Sequence, residues 1–222
     1  MSWISGGSVD LPFTRDQFLD LFGEYNRALW PALILLWIAT IVAVARLYFQ
    51  SRNDSRGVAG LLALHWAWSG TVYHLIYFRR INPAAVLFSV VFLIQAALFV
   101  WRGMATSHLT FDLQRARWRI AAAGLILYSL VYPVVGLAFG LRAPRFPSFG
   151  VPCPTTLLTA GLLLLVPRRE VRLLGVVPVL WAGVGGSAAF VLQIGADVAL
   201  PVAGAILLAC MGTRTDASPG AT

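Results

Sequence analysis

The residues able to do chemistry in this chain are few, and most of them fall in two short stretches. The first runs His65-Trp66-Ala67-Trp68-Ser69-Gly70-Thr71-Val72-Tyr73-His74. It is too polar to face lipid. Its two histidines are nine residues apart, about half a turn out of phase at 100° per residue. On an unbroken helix they point to opposite faces and cannot chelate one metal. For His65 the preferred reading is a structural hydrogen bond to a neighbouring helix. Ionisable groups at such depth face a bundle interior or an aqueous cavity.

The second stretch is Phe149-Gly150-Val151-Pro152-Cys153-Pro154-Thr155-Thr156, followed by Thr159. Pro154 suits a first helical turn, where its missing N–H leaves nothing unpaired. The free N–H groups and dipole of that helix end favour an anion or a polar group. Short or broken helices aimed at mid-membrane substrates are a transporter device. The competing reading is a plain helix start whose threonines bond back to carbonyls. Of the two cysteines, Cys153 falls at one end of the bundle and Cys210 at the other. A disulfide needs Cα atoms within about 7 Å, so Cys153 is a lone thiol. With few histidines and cysteines near one another, no metal site and no cofactor are expected.

Other polar residues converge on the same end. Glu24, Tyr25, Asn26, His74, Asn82, Tyr132, Cys153, Thr155 and Asp197 all lie toward the outer leaflet. Tyr73, Thr156 and Thr159, with the intramembrane His65 and Gln95, complete the candidate ligand-binding set. Gln193 extends the inward polar route suggested by His65 and Gln95. Such groups gather in cavities of membrane bundles. No catalytic residue is assigned.

The elements that must position these groups are apolar. The chain has 222 residues, 59% hydrophobic and only 12% charged, about half the charge of a soluble domain. Runs of about 20 apolar residues, enough to cross a core of about 30 Å, recur about seven times: 28–48, 57–78, 83–102, 119–141, 153–167, 171–192 and 195–213. The fold class is therefore all-α, a polytopic transmembrane helix bundle of about seven spans. The fifth run is the weak one, only about 15 residues or roughly 22 Å as a helix. Six spans plus one re-entrant segment is the alternative topology. Residues 1–27 read as an N-terminal amphipathic surface segment, 28–213 as the transmembrane bundle and 214–222 as a disordered tail. Thr14 and Gln17 have capping-box spacing ahead of the first helix. No cleavable signal peptide is evident.

All 17 basic residues are arginine. For seven spans, eleven fall on one side (46, 52, 56, 102, 115, 117, 119, 168, 169, 172, 214) and six on the other (15, 27, 79, 80, 142, 145). The positive-inside rule then puts the N-terminus outside and the C-terminus in the cytoplasm. This placement makes the charge of +8 a topogenic signal, and nucleic acid is not an expected partner. Ser107–Arg119 reads as an interfacial basic segment on anionic lipid. Gly136 and Gly140, and the small-residue pairs Gly183/Ser187 and Gly185/Ala189, mark helix contacts. The absence of lysine removes Schiff-base chromophores and imine catalysis.

Several motifs together carry a resemblance: Leu11-Pro12-Phe13-Thr14 with Gln17-Phe18, Tyr25-Asn26 and Trp30-Pro31; His65-Trp66 with Trp68, Gly70, Tyr73 and His74; Ile81-Asn82-Pro83-Ala84-Ala85; Tyr132-Pro133; Phe149-Gly150 with Pro152-Cys153-Pro154-Thr155-Thr156; and Gly185-Gly186-Ser187-Ala188-Ala189-Phe190. From about residue 11 to 210 the chain resembles the bacterial integral-membrane family catalogued as domain of unknown function 6064. The resemblance implies a multi-pass protein of the bacterial inner membrane and adds no mechanism. The family pattern often has Gln where Leu33 stands and His where Leu141 stands, and losing that His weakens a metal reading.

Three functions follow as expectations. The first is a small-solute or ion transporter or channel with a polar cavity opening to the outer leaflet. The second is a sensor or accessory subunit that binds an unknown small ligand, or a partner, on the outer face. The third and least supported is a membrane enzyme: no Ser–His–Asp spacing, HExxH, Cys-x-x-Cys or glycine-rich nucleotide loop is present. The lipid bilayer is the expected surrounding partner, with a homo-oligomer or a membrane partner left open.

Overall fold

The computed structural model describes residues 11–49, 55–113 and 116–212. The tail 214–222, the first ten residues of the N-terminal segment, and Arg52, Arg115 and Arg214 lie outside them. Every regular element among the described residues is helical.

Helix α1 runs unbroken from Arg15 to Phe49. The capping box forms as spaced: Gln17 N–H donates to Thr14 Oγ1 (3.2 Å) and Thr14 N–H to Gln17 Oε1 (2.8 Å). Where the sequence suggests a separate surface segment up to residue 27, the structure has one 35-residue helix, about 52 Å long. Its Phe18, Leu21, Phe22 and Tyr25 are buried inside the protein.

Helix α2 (Ser55–Trp68) passes into a π-helical stretch, Ser69–Tyr77. Such stretches are frequent at functional sites. Gly70 lies there, and a Cβ on it would sit 3.2 Å from Ser89 O of the next helix. The regular helix ends between His65 and His74, so the half-turn phase expected of an unbroken helix does not relate them. Helix α3 (Ala85–Phe99) likewise ends in a π turn, Val100–Ala105. The following loop is less interfacial than its sequence suggests: Leu109 and Phe111 are buried, and Asp112 N–H donates to Leu165 O at 2.6 Å.

Helix α4 (Ala116–Ala138) leads to α5 (Pro152–Leu163), α6 (Arg168–Leu174), α7 (Val176–Leu192), a 3-10 turn (Gly195–Val198) and α8 (Ala199–Gly212). Helix α5 is buried on every side. From Pro147 to Val166 every residue is buried except Cys153, which is half-buried. A helix apolar all round belongs at the centre, and α4, α7, α8 and α2 enclose it. Its Gly161 admits α4, since a Cβ there would meet Ile126 at 2.8 Å. The expected Gly136/Gly140 contact does not form: α4 ends at Ala138, and Gly140 has φ +88° in the turn beyond. The α7–α8 seam uses Gly185 and Gly186 against Leu200 and Pro201, while nothing approaches Gly183.

The outside of the bundle is apolar. Trp30, Leu35, Leu87, Ile120, Val134, Leu180 and Phe190 are all exposed, on four different helices. A soluble monomer rarely leaves so much apolar surface uncovered, and lipid is the solvent that suits it. By length and composition four helical segments can cross a membrane: Arg15–Phe49, Ala85–Ala105, Arg117–Ala138 and Gly195–Gly212. A fifth exists if α6 and α7, bent by 51°, form one span. That is fewer than the seven expected. The α2 stretch is long enough but carries His65, Ser69, Thr71 and His74, and α5 has only 12 residues, about 18 Å.

Candidate functional site

The chain between α4 and α5 descends into the protein as irregular backbone. Apart from the turn bonds of Arg145 N–H to Arg142 O and Phe146 N–H to Pro144 O, side chains from three helices satisfy its carbonyls. Asn26 Nδ2 donates to Pro144 O (2.7 Å) and Phe146 O (2.8 Å), and Asn26 Oδ1 accepts from the Ser148 hydroxyl (2.5 Å). Tyr25 donates to Phe149 O (3.1 Å) while accepting from Trp68 Nε1 (2.8 Å). Ser69 donates to Gly150 O (2.7 Å), and Ser129 to Pro154 O (3.0 Å). Buried backbone has to be paired in this way. Gly150 has φ +76°, and a Cβ there would meet the Trp68 indole at 2.7 Å, so only glycine fits.

This descent delivers the start of α5 to the floor of a cavity of about 270 Å³. Its walls come from the segment leading into α1 (Phe13) and the first turns of α1 (Phe18, Phe22), the π stretch and its end (Tyr73, Phe78), α3 (Phe88) and α7 (Trp181, Val184, Leu192). Cys153, Asp197 and Asn82 supply polarity. Asp197 is 5% exposed. Its carboxylate accepts a hydrogen bond from the Tyr132 hydroxyl, and the Cys153 thiol lies beside it. The Trp181 indole N–H is buried without a partner. The cavity is thus mainly aromatic and aliphatic, not the polar one that the sequence suggested.

The candidate residues separate accordingly. Tyr73, Asn82, Cys153 and Asp197 line the cavity, with Tyr132 behind Asp197. Tyr25 and Asn26 hold the descending backbone. Glu24 is exposed and pairs with Arg80 at 2.7 Å. Thr155 lies 3.4 Å from the Ser69 hydroxyl, and Thr159 accepts from Trp66 Nε1 (2.9 Å) while donating to Thr155 O (2.8 Å). Thr156 Oγ1 is buried without a partner. Gln95 Nε2 donates to Leu174 O at 2.9 Å, gripping the α6–α7 bend. Asn82 Oδ1 also accepts the Ala84 N–H (3.0 Å), turning the chain into α3.

The two histidines serve different neighbours. Thr40 donates its hydroxyl to Leu36 O, so His65 Nε2–H donates to Thr40 Oγ1, at 2.9 Å. His74 is enclosed by aromatic rings, with Phe92 at 4.7 Å and Trp181 at 5.2 Å between centroids. Neither of its ring nitrogens has a partner, and it packs as an aromatic behind the cavity wall. No group of three or more His, Cys, Asp or Glu able to hold a metal occurs among the described residues. Leu141 is buried near Gly136.

Sequence reasoning missed Phe13, Phe78, Phe88 and Trp181 as cavity walls. Their only signal was a density of aromatics on segments that converge in space. It also missed Glu170, a single acid beside basic residues, whose carboxylate takes a bidentate pair from Arg102 (2.9 and 2.5 Å).

Residues 15–218 match the family described as "Family of unknown function (DUF6064)". No curated protein and no solved structure matches the chain.

Proposed function

The chain belongs to that family, and from this premise we propose that it is a membrane-embedded binding protein holding a small, largely apolar ligand in the cavity above α5. The observation that carries this reading is a closed floor. Beneath Cys153 and Asp197 the core is filled by Leu157, Leu158, Leu162 and Leu163, each fully buried. A channel needs a continuous polar route onward. His65, Gln95 and Gln193 supply none: the first bonds Thr40, the second bonds Leu174 O, and the third is exposed at the cavity's own end. The second expectation, a ligand-binding sensor or accessory subunit, therefore takes precedence over a channel.

The same reading assigns seven crossings. The α2 stretch and the descent with α5 join the five apolar candidates, and successive elements alternate between the two ends. The fifth crossing is then half irregular chain and half helix. Non-helical backbone at membrane depth is tolerated where protein buries it, and all of it from Pro147 to Val151 is buried. Arg46, Arg56, Arg102, Arg117, Arg119, Arg168, Arg169 and Arg172 fall toward the end opposite the cavity, against Arg15, Arg27, Arg79, Arg80, Arg142 and Arg145 on the other side, a bias that supports reading the cavity end as the outer one.

The test uses Cys153 in a Cys210→Ser background, labelled in intact cells with a membrane-impermeant maleimide. Labelling from outside is expected, and filling the cavity with Val184→Trp should suppress it. Labelling only after the membrane is opened would refute the orientation. Labelling indifferent to Val184→Trp would refute access through the cavity.

A further inference from the structure

The cavity holds one charge. Among the described residues lining it, Asp197 is the only acid, and no arginine lines it. The other acids of the bundle whose pairing the structure records are matched: Asp16 and Asp20 with Arg145 (3.1 and 2.8 Å), Glu24 with Arg80 (2.7 Å), and Glu170 with Arg102 (2.5 Å). Among the described residues, the side chains recorded as hydrogen-bonding Asp197 are the Tyr132 hydroxyl and the Cys153 thiol, neither of them a cation. A carboxylate buried in apolar surroundings without a cation is strongly disfavoured. It becomes favourable when something positive is brought to it.

The walls are suited to that charge. Tyr73, Phe78, Phe88 and Trp181 surround the floor, and Phe88 and Trp181 meet edge to face at 5.3 Å. Aromatic π faces carry negative potential, and clustered rings recognise quaternary and alkylated ammonium ions. The start of α5 does not favour the opposite sign, because Pro152 and Pro154 remove two of the N–H groups that would hold an anion. Asp197 would repel an anion as well.

We propose that the ligand is an organic ammonium ion with an apolar body, its cationic head against Asp197 and its body among the phenylalanines of α1 and α3. This rests on the reading of the cavity as a binding site and adds the sign of the ligand. The shared chemistry is that of a tertiary or quaternary amine, whether free in solution or carried on a lipid headgroup.

The experiment compares three probes of similar shape: benzyltrimethylammonium, its neutral carbon isostere neopentylbenzene, and the anion 3-phenylpropionate. Each is tested for protection of Cys153 from maleimide, in the Cys210→Ser protein held in phosphatidylglycerol nanodiscs. The cation should protect at least about tenfold more effectively than the isostere, a difference of about 1.4 kcal/mol, and the anion should not protect. Asp197→Asn should abolish that preference, and Asp197→Glu should retain it. Equal protection by cation and isostere, or a preference that survives Asp197→Asn, overturns the sign of the ligand while leaving the cavity a binding site. No protection by any probe, together with unchanged labelling in Val184→Trp, overturns the binding site and the ligand together. Replacing the lipid with phosphatidylcholine separates the sources. A headgroup ligand protects Cys153 with nothing added, whereas a soluble amine protects only when supplied.

Discussion

Glu170 and Asp197 are both acids buried in the bundle, 4% and 5% exposed, and they are treated in opposite ways. Glu170, at the arginine-rich end, receives a forked guanidinium from Arg102 that ties α6 to the end of α3. Asp197, at the other end, receives a phenol and a thiol and faces a cavity. The first arrangement is complete within the chain, and its effect is to close that end. The second leaves a negative charge in aromatic surroundings and an opening beside it. Burial alone therefore does not mark a site. The informative distinction is whether the protein supplies the counter-charge itself.

The largest effect should come from breaking the closed pair. Arg102→Met strands Glu170 in the interior, and it should lower the thermal midpoint in detergent more than any other change discussed. The double variant Arg102→Met/Glu170→Leu should recover much of the loss, because replacing a buried pair is far milder than halving it. A double variant less stable than the single one would mean that the pair does more than neutralise itself.

Next comes the backbone that frames the open end. Gly150→Ala must place a Cβ against Trp68 and the Tyr25 hydroxyl in a left-handed conformation. Overpacking of this kind costs about 1–3 kcal/mol. Unfolding should become easier and Cys153 should label faster, and an unchanged protein would contradict the descent as described. Thr40→Val leaves His65 Nε2–H unpaired at about 1–3 kcal/mol, yet should not touch Cys153 labelling, since neither residue lines the cavity.

Asp197→Asn should be milder still, within about 1 kcal/mol, because an amide keeps an acceptor for Tyr132. If it instead destabilises as strongly as Arg102→Met, Asp197 is a structural acid and the contrast collapses. The smallest change is expected for Glu24→Gln, which breaks an exposed pair with Arg80 worth under about 1 kcal/mol. Calorimetry at low and high salt should show even that difference shrink.

Much of the scaffold could be read along the chain. The apolar run 195–213 is the helical segment Gly195–Gly212, and 83–102 begins and ends close to the α3 segment. The Thr14/Gln17 box forms as spaced, because capping is decided within one turn. The unbroken α1 was not legible: its polar first turns look like surface until Tyr73 and Phe78 are known to cover Phe22 and Phe18. Nor was the descent, whose carbonyls are met by Asn26 and Tyr25 from more than a hundred residues away. Cys153 and Asp197 could be placed at one end from topology. Their adjacency, and the aromatic walls around them, depend on tertiary packing that no periodicity records.

The borrowed hydrogen bonds of the descent also bear on how the protein is made. Helix α5 is too short and its approach too irregular to enter a bilayer as a free segment, and the groups that quiet its backbone sit on α1, on the α2 stretch and on α4. Synthesis proceeds from the N-terminus, so those helices are in place when residues 144–166 emerge. The order of elements along the gene is thereby also an order of assembly. In a C-terminal fragment beginning at residue 144, the α5 segment should fail to cross by itself and be rescued by co-expressing α1–α4, a dependence that binds the two halves of the chain before any ligand arrives.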